Sequence, residues 1–551
     1  MKPTQFRRHA GAALALTLAA SLSTGTAFAT QVAPPDTNPS EIDANKGGSI
    51  TIFKHEDKKG GVGDPTKASD PLTSNPVEGV EFTAFRLDAG TTPLGTSINI
   101  ATDNDVWVQL NDLAKSPNFG ALCNGKDADA IKANIKAAIG DKLGVADEVK
   151  VAPATNSEGM SKLSDLAVGA YLLCETKAPT TVVGKAAPTL VTIPYPDTTR
   201  DGKTNTWVYD VTIFPKNTLQ SINKTIEQQK PHGFGIGSEV HFPVTASIPT
   251  LPEGEHFKYF FVSDDMDTRF TDLGVAKVTY GANGTGADLT EGADYNVSID
   301  GQKVVVSLTE AGLQKLEAAQ GQTLQVIFKG KVNELGTGET AGKINNVAKV
   351  TVDLGKTPEI PPTEPPGGQE TPEVKTWWGD ARIFKFTKEN NANVALSGVT
   401  FQVFEAKTPY PENGTCSTEK AEGAKAIEVN GKTELVSDKD GLVKIDGLFV
   451  SSSYENDKPD NEFRCYVLEE TAVPAGYVLP TGGKELSALK INVGQTSELD
   501  YDLQIENKKQ DIPDLPLTGA NGQMLLLVGG GALVLLGAGT YMVRRSRKQE
   551  A

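Results

Sequence analysis

Four cysteines occur in the 551 residues: Cys123, Cys174, Cys416 and Cys465. They fall as two pairs, each separated by about fifty residues, and the second member of each pair has a similar context, YLLCET and FRCYVLEET. A small, even number of thiols with no C-x-x-C spacing points to oxidation within each pair, Cys123 with Cys174 and Cys416 with Cys465, and away from zinc. The histidines (His9, His55, His232, His241, His256) show no H-E-x-x-H or related spacing, and no glycine-rich phosphate loop follows a strand. No metal, no cofactor and no enzyme active site is therefore expected. The remaining chemical signal lies near the end, where LPLTG (515–519) precedes an uncharged apolar run, Met524 to Val543, and a basic stub, Arg544, Arg545, Arg547 and Lys548.

That apolar run is about 20 residues, the length that crosses a bilayer as a helix, and the stub reads as its cytoplasmic side. At the other end a basic stretch, an apolar stretch and Ala27-Phe28-Ala29 read as a secretory leader over 1–29. The two ends predict an exported, oxidised chain held at the membrane by its C-terminus. The formal charge of −17 includes +3 from Lys2, Arg7 and Arg8 and +3 from the segment after Thr518, which leaves −23 on residues 30–518. So acidic a body disfavours nucleic acid and anionic lipid as partners.

The body that must position these residues reads as strands. SITIFKHE, GVEFTAFRL, TWVYDVTIFP, EVHFPVTASI, TLQVIFKGKV, RIFKFTK, GVTFQVFEA and FRCYVLEE are β-branched or aromatic runs bounded by Gly, Pro, Asn and Asp. The expected class is all-β, a chain of sandwiches, with DADAIKANIKAAIGDKL as a helical insertion in the first and LTEAGLQKLEAAQ as a short helix in the second. KTPEIPPTEPPGGQETPEV (356–374) is Pro-rich and lacks an apolar period, so it reads as a linker. The expected organisation is leader 1–29, first domain 30–216, middle domain 217–355, linker 356–374, last domain 375–510 and terminal segment 511–551. An internal repeat relates the first and last domains: SITIFKHE, GVEFTAFRL and YLLCETKAP parallel ARIFKFTK, GVTFQVFEA and YVLEETAVPAGY.

LPLTG with its apolar run and basic stub resembles the cell-wall sorting signal of Gram-positive surface proteins, cleaved by sortase between Thr518 and Gly519. WVYDVTIFPK (207–216) resembles the pilin motif of major, or backbone, pilins of sortase-assembled pili, the fimbrial subunit type 1 or SpaA-like family. Its matching positions are Trp207, Val211, Ile213, Phe214, Pro215 and the terminal Lys216. The resemblance implies tandem immunoglobulin-like sandwiches, Cna B-type, A-type and B-type in order. It implies a structural shaft subunit in wall-anchored surface fimbriae, in which the Lys216 amine of one copy resolves the sortase acyl-enzyme at Thr518 of another. Pilin-specific and housekeeping sortases, further copies of the chain, minor tip and base pilins and peptidoglycan are the implied partners, in support of adhesion to an unnamed host receptor. A monomeric wall-anchored adhesin of the MSCRAMM type is the alternative; it shares LPLTG and has no need of WVYDVTIFPK.

YVLEETAVPAGY resembles the E-box of this family, with Val473 where alanine is common, and YLLCETKAP is a shorter copy. In the family an E-box glutamate assists an autocatalytic bond between a first-strand lysine and a last-strand asparagine. Lys385, Glu470 and Asn507 match that pattern in the last domain. In the middle domain Lys224, Asp264 and Asn346 match more loosely, with Asp265, Asn345 and a register slip as alternatives. In the first, Lys54 and Glu175 align with Lys385 and Glu470, but Pro215 stands where Asn507 would, and Asn217 is the nearby amide. The physical logic is that burial disfavours the charged lysine and favours the neutral carboxyl, making the amine nucleophilic beside an acid able to polarise the amide.

Overall fold

The computed structural model describes residues 42–56, 66, 74–87, 100, 104–139, 143–197, 206–251, 254–356 and 367–510. The predicted leader, LPLTG, apolar run and basic stub lie outside them. Among the described residues no helix is long and apolar enough to cross a membrane.

Alternating apolar strands build three successive sandwiches. In the first, the strand Gly48–Phe53 lies between Asp210–Ile213, to which it is parallel, and Met160–Leu166. The opposing sheet runs Lys150–Val151, Glu81–Arg86, Gly169–Lys177, Thr189–Ile193. Gly169–Lys177 (GAYLLCETK) is buried on both faces for seven residues, which is why it reads as a continuous apolar run. The helical insertion is Ala128–Ala138, its N-terminus capped by the Asp127 carboxylate accepting from Ala130 N–H at 2.9 Å. A second helix, Asn104–Lys115, precedes it and buries Val106, Trp107, Leu110 and Leu113. That spacing is helical, a signal in NDVWVQLNDLAK that the sequence reading passed over.

The middle sandwich pairs Ile222–Lys224, Glu239–Ser247, Thr323–Val332, Phe270–Gly281 and Ala287–Asp288 in one sheet. Its other sheet holds Tyr295–Asp300, Lys303–Leu308, His256–Asp265, Ala348–Gly355 and Gln369–Glu370. The short helix forms over Glu310–Ala318, capped by the Thr309 hydroxyl. In the last sandwich the 16-residue strand Val374–Glu389 pairs antiparallel with Leu442–Tyr454 and parallel with Leu503–Glu506, facing a sheet of Leu435–Val436, Thr400–Glu405, Phe463–Ala472 and Leu486–Asn492.

The middle and last sandwiches are not separated. The start of Val374–Glu389 also pairs with Lys343–Asn346, Asn346 lying opposite Val374, and most buried apolar side chains of both units join in one contiguous core, with Phe404, Ala406, Cys465 and Val467 apart from it. The first unit has its own core. Gly379, midway along the shared strand, is required by close approach: a Cβ there would lie 1.7 Å from the Asn492 carbonyl oxygen.

Both cysteine pairs are disulfides, Cys123–Cys174 and Cys416–Cys465, with Cα atoms 5.3 and 5.5 Å apart. One ties the connection between Asn104–Lys115 and Ala128–Ala138 to Gly169–Lys177; the other ties the loop after Thr400–Glu405 to Phe463–Ala472. Replacing Cys416 and Cys465 together by Ala is expected to cost about 2–4 kcal/mol through loop-closure entropy. Thermal unfolding against the parent checks this, and an unchanged transition of the last unit would contradict it.

Candidate functional site

Each sandwich seals a lysine from solvent at or near its first strand, facing a carboxylate of the opposing sheet: Lys54 and Lys385 are 0% exposed and Lys224 is 1% exposed. Alternation puts them there. Lys54 follows Gly48–Phe53, Lys224 ends Ile222–Lys224, and Lys385 lies on the inward face of Val374–Glu389, so each amine projects into the core instead of toward water.

A carboxylate from the opposing sheet meets each amine. Lys385 Nζ lies 2.8 Å from Glu470, Lys224 Nζ 2.5 Å from Asp264, and Lys54 Nζ 3.0 Å from Glu175. A buried asparagine completes each group. Lys385 Nζ donates to Asn507 Oδ1, and Asn507 Nδ2 donates to Glu470 Oε1. Asn346 Nδ2 donates to Asp264 at 3.3 Å, and Asn217 Nδ2 donates to both Glu175 oxygens at 3.0 Å. In all three groups the amide nitrogen therefore faces the carboxyl. Asp265 and Asn345, the neighbours left open by sequence, are exposed, because alternation turns them outward from Asp264 and Asn346.

Burial sets the protonation. It holds the Lys385 ammonium below its ordinary pKa despite the opposing pull of Glu470, and does the same to Lys224 against Asp264. It pushes the Asp264 carboxyl up, against the pull of Lys224. In the Lys224–Asp264 pair both directions favour a neutral amine beside a neutral acid over an ion pair stripped of water. Neutral amine, polarised amide and adjacent acid are the reactants and proton carrier of an acyl transfer.

The first unit differs from the sequence alignment. Its parallel register runs Ile52 to Ile213 and His55 to Lys216, which places Lys54 opposite Pro215; in the last unit Lys385 lies opposite Ile505. The asparagine sits two residues beyond that partner in both, so Asn217, and not Pro215, holds the place of Asn507. The alignment slipped because IFPKN and IENKK share an isoleucine, whereas the register puts Pro215, and not Ile213, in the place of Ile505. Three aromatic rings were also missed. Phe82, Phe242 and Phe401 lie 5.6, 5.2 and 5.7 Å from the amines of Lys54, Lys224 and Lys385. Two of them stand directly across the ladder from the carboxylate residue, Phe82 from Glu175 and Phe401 from Glu470, and the repeated G-V-x-F of GVEFTAFRL and GVTFQVFEA was the available signal.

The segment ending in Lys216 closes the first sandwich. Val211, Ile213, Phe214 and Pro215 are buried, Phe214 stacks on Phe53 at 5.9 Å, and Trp207 lies 6.4 Å from Trp107. Lys216 opens the strand Lys216–Leu219 and is half-buried, one residue before Asn217. Thr518 and Gly519 lie outside the described residues.

Family models describe the same segments: the Gram-positive pilin subunit D1, N-terminal domain, matches residues 48–218, the Sgo0707 N2 domain 257–359, and the LPXTG cell wall anchor motif 507–550. The fimbrial subunit type 2 of Actinomyces naeslundii is 35% identical over 558 residues, covering 99% of this chain and 97% of that one. This chain belongs to the Gram-positive pilin subunits. The fimbrial subunit type 1 of Actinomyces viscosus is 29% identical over 569 residues, covering 97% and 96%. Among solved structures, the full-length major pilin SpaD from Corynebacterium diphtheriae superposes with a TM-score of 0.59 at 25% identity, over 86% of this chain and 100% of that one. The pilin is a structural subunit of a surface pilus anchored to the cell wall.

Removing the Asp264 carboxyl as Ala strands the Lys224 amine in the core and is expected to cost about 3–5 kcal/mol, whereas Asp265→Ala on the exposed face should change stability by less than about 0.5 kcal/mol. Parallel urea melts of the two variants check the contrast, and equal effects would contradict it.

Proposed function

We propose that this pilin is a shaft subunit polymerised by sortase through Lys216 and Thr518, and that each of its sandwiches closes an internal Lys–Asn bond. The observation that carries the internal chemistry is the threefold recurrence of a sealed lysine, a carboxyl and an asparagine whose amide nitrogen faces that carboxyl. The pairs are Lys54 with Asn217 assisted by Glu175, Lys224 with Asn346 assisted by Asp264, and Lys385 with Asn507 assisted by Glu470. In each, the lysine nitrogen attacks Cγ of the asparagine and an amide forms. The acid delivers a proton to the departing amide nitrogen and takes one from the amine, so one ammonia leaves and the acid ends as it began.

Between subunits, the sortase thiolate attacks the Thr518 carbonyl and expels the Gly519 amine. Lys216 of the next copy then displaces the thiol as an amide, its surplus proton passing to the sortase. A pilin-specific sortase makes the shaft, a housekeeping sortase passes its base to peptidoglycan, and minor pilins occupy tip and base. The chain supplies substrate groups to this reaction and no catalyst.

Arg keeps the charge of Lys216 but cannot give up its proton, so Lys216→Arg should fold normally and abolish the detergent-resistant ladder in wall extracts. Polymers persisting in that variant would refute the assignment of Lys216. Intact mass of the exported chain should fall short of the reduced, unlinked sequence by three ammonias and four hydrogens. Glu470→Ala should restore one of those ammonias after correction for the substitution; an unchanged deficit would remove Glu470 from the reaction.

A further inference from the structure

Away from the sealed lysines, two histidines distant in any motif sense meet on the outer face of the middle sandwich. After Lys224 the chain stays extended, and Glu227 N–H donates to the His241 carbonyl at 3.0 Å, so the two residues are cross-strand neighbours. A turn then brings His232 back onto them. Its Nε2 lies 3.0 Å from Glu227 Oε2, and His241 Nδ1 lies 3.2 Å from the same oxygen. The two imidazole rings are 3.9 Å apart. Glu227 Oε2, His232 and His241 thus present three ligand atoms within 4.8 Å of one another.

We propose that Glu227, His232 and His241 form a binding site for a zinc-class divalent transition-metal ion. Ligands about 2.0–2.1 Å from a tetrahedral ion stand about 3.3–3.4 Å apart, so the contacts to Glu227 are within a few tenths of an ångström of the required edges. An ion would be held between the two ring nitrogens and the carboxylate oxygen. A second, independent feature points the same way. The other ring nitrogen of His241, Nε2, lies 3.0 Å from Glu239, whose second oxygen is held by Lys329 at 3.0 Å. A carboxylate on the far side of a ligating imidazole fixes its tautomer and raises its basicity, the usual outer support of a zinc-bound histidine. The histidine side chains retain 15% and 14% exposure, which leaves solvent access for entry and for a fourth ligand.

The site sits at the base of the loop that docks on the last sandwich. Phe234 packs on Phe449 and Tyr466, and Ile236 N–H donates to Gly447 O at 3.0 Å. An ion there would clip both ends of the docking loop together.

Titration of zinc into the full chain at neutral pH should show one equivalent bound. His232→Ala or His241→Ala should weaken binding by more than tenfold, Glu239→Gln by tenfold to a hundredfold, and His256→Ala should leave it unchanged. Zinc should also shield His232 and His241 of the parent chain from diethyl pyrocarbonate, a reading that needs no variant. No bound zinc, affinity indifferent to both histidine substitutions, or unshielded His232 and His241 would overturn the proposal.

Discussion

An amine with no access to water must be neutral, paired or bonded, and each sandwich of this pilin is arranged around such an amine held between its two sheets. The lysine comes from one sheet and its carboxylate from the facing sheet, so the group joins the two layers across the core. In the first and last units the amide comes from a strand parallel to the lysine's own, which fixes the order in which first and last strands lie side by side. The rings of Phe82, Phe242 and Phe401 cover the amines with apolar surface. The disulfides act on the same elements: Cys174 adjoins Glu175, and Cys465 shares a strand with Glu470. Covalent and apolar restraints thus converge on the strand that carries the acid.

The union of the middle and last sandwiches comes from a different constraint. Val374–Glu389 is too long for one sandwich edge, and its two ends serve different neighbours, Lys343–Asn346 at the start and Leu503–Glu506 toward the end. The loop around Phe234 adds a second joint, where the Arg464 guanidinium lies 4.3 Å from the Phe234 ring and Lys230 pairs with Glu405 at 2.7 Å. A core running through both units leaves no apolar surface to divide them.

Much of this was legible in the sequence. Alternation marked the strands, the pairing of cysteines followed from number and context, and the repeat between RIFKFTK and SITIFKHE located two of the lysines. What escaped depends on contacts that linear order does not encode. The helix Asn104–Lys115 has a clear apolar period but sits among strand-like runs. Asn217 was displaced in the alignment by the isoleucine shared by IFPKN and IENKK, since only the pairing shows that Pro215 takes the place of Ile505. Glu227, His232 and His241 match no motif because a turn and a cross-strand pair bring them together. The Pro-rich stretch read as a separator, yet Gln369–Glu370, at its end, pairs into the middle sandwich.

The position of Asn217 directly after Lys216 bears on how a filament yields when pulled. With the internal bonds of the middle and last units made, the shortest covalent route from Lys216 to Thr518 leaves the backbone at Lys224, rejoins it at Asn346, leaves again at Lys385 and rejoins at Asn507. Residues 225–345 and 386–506 form closed loops beside that route, and the first sandwich hangs from its start. Of the described residues on that route, Ala348–Gly355 and residues 374–385 are already extended strand and have little length to release. With those bonds made, the strands on the route would carry tension as covalent chain while the folded loops beside it stay unloaded and keep their surfaces on display.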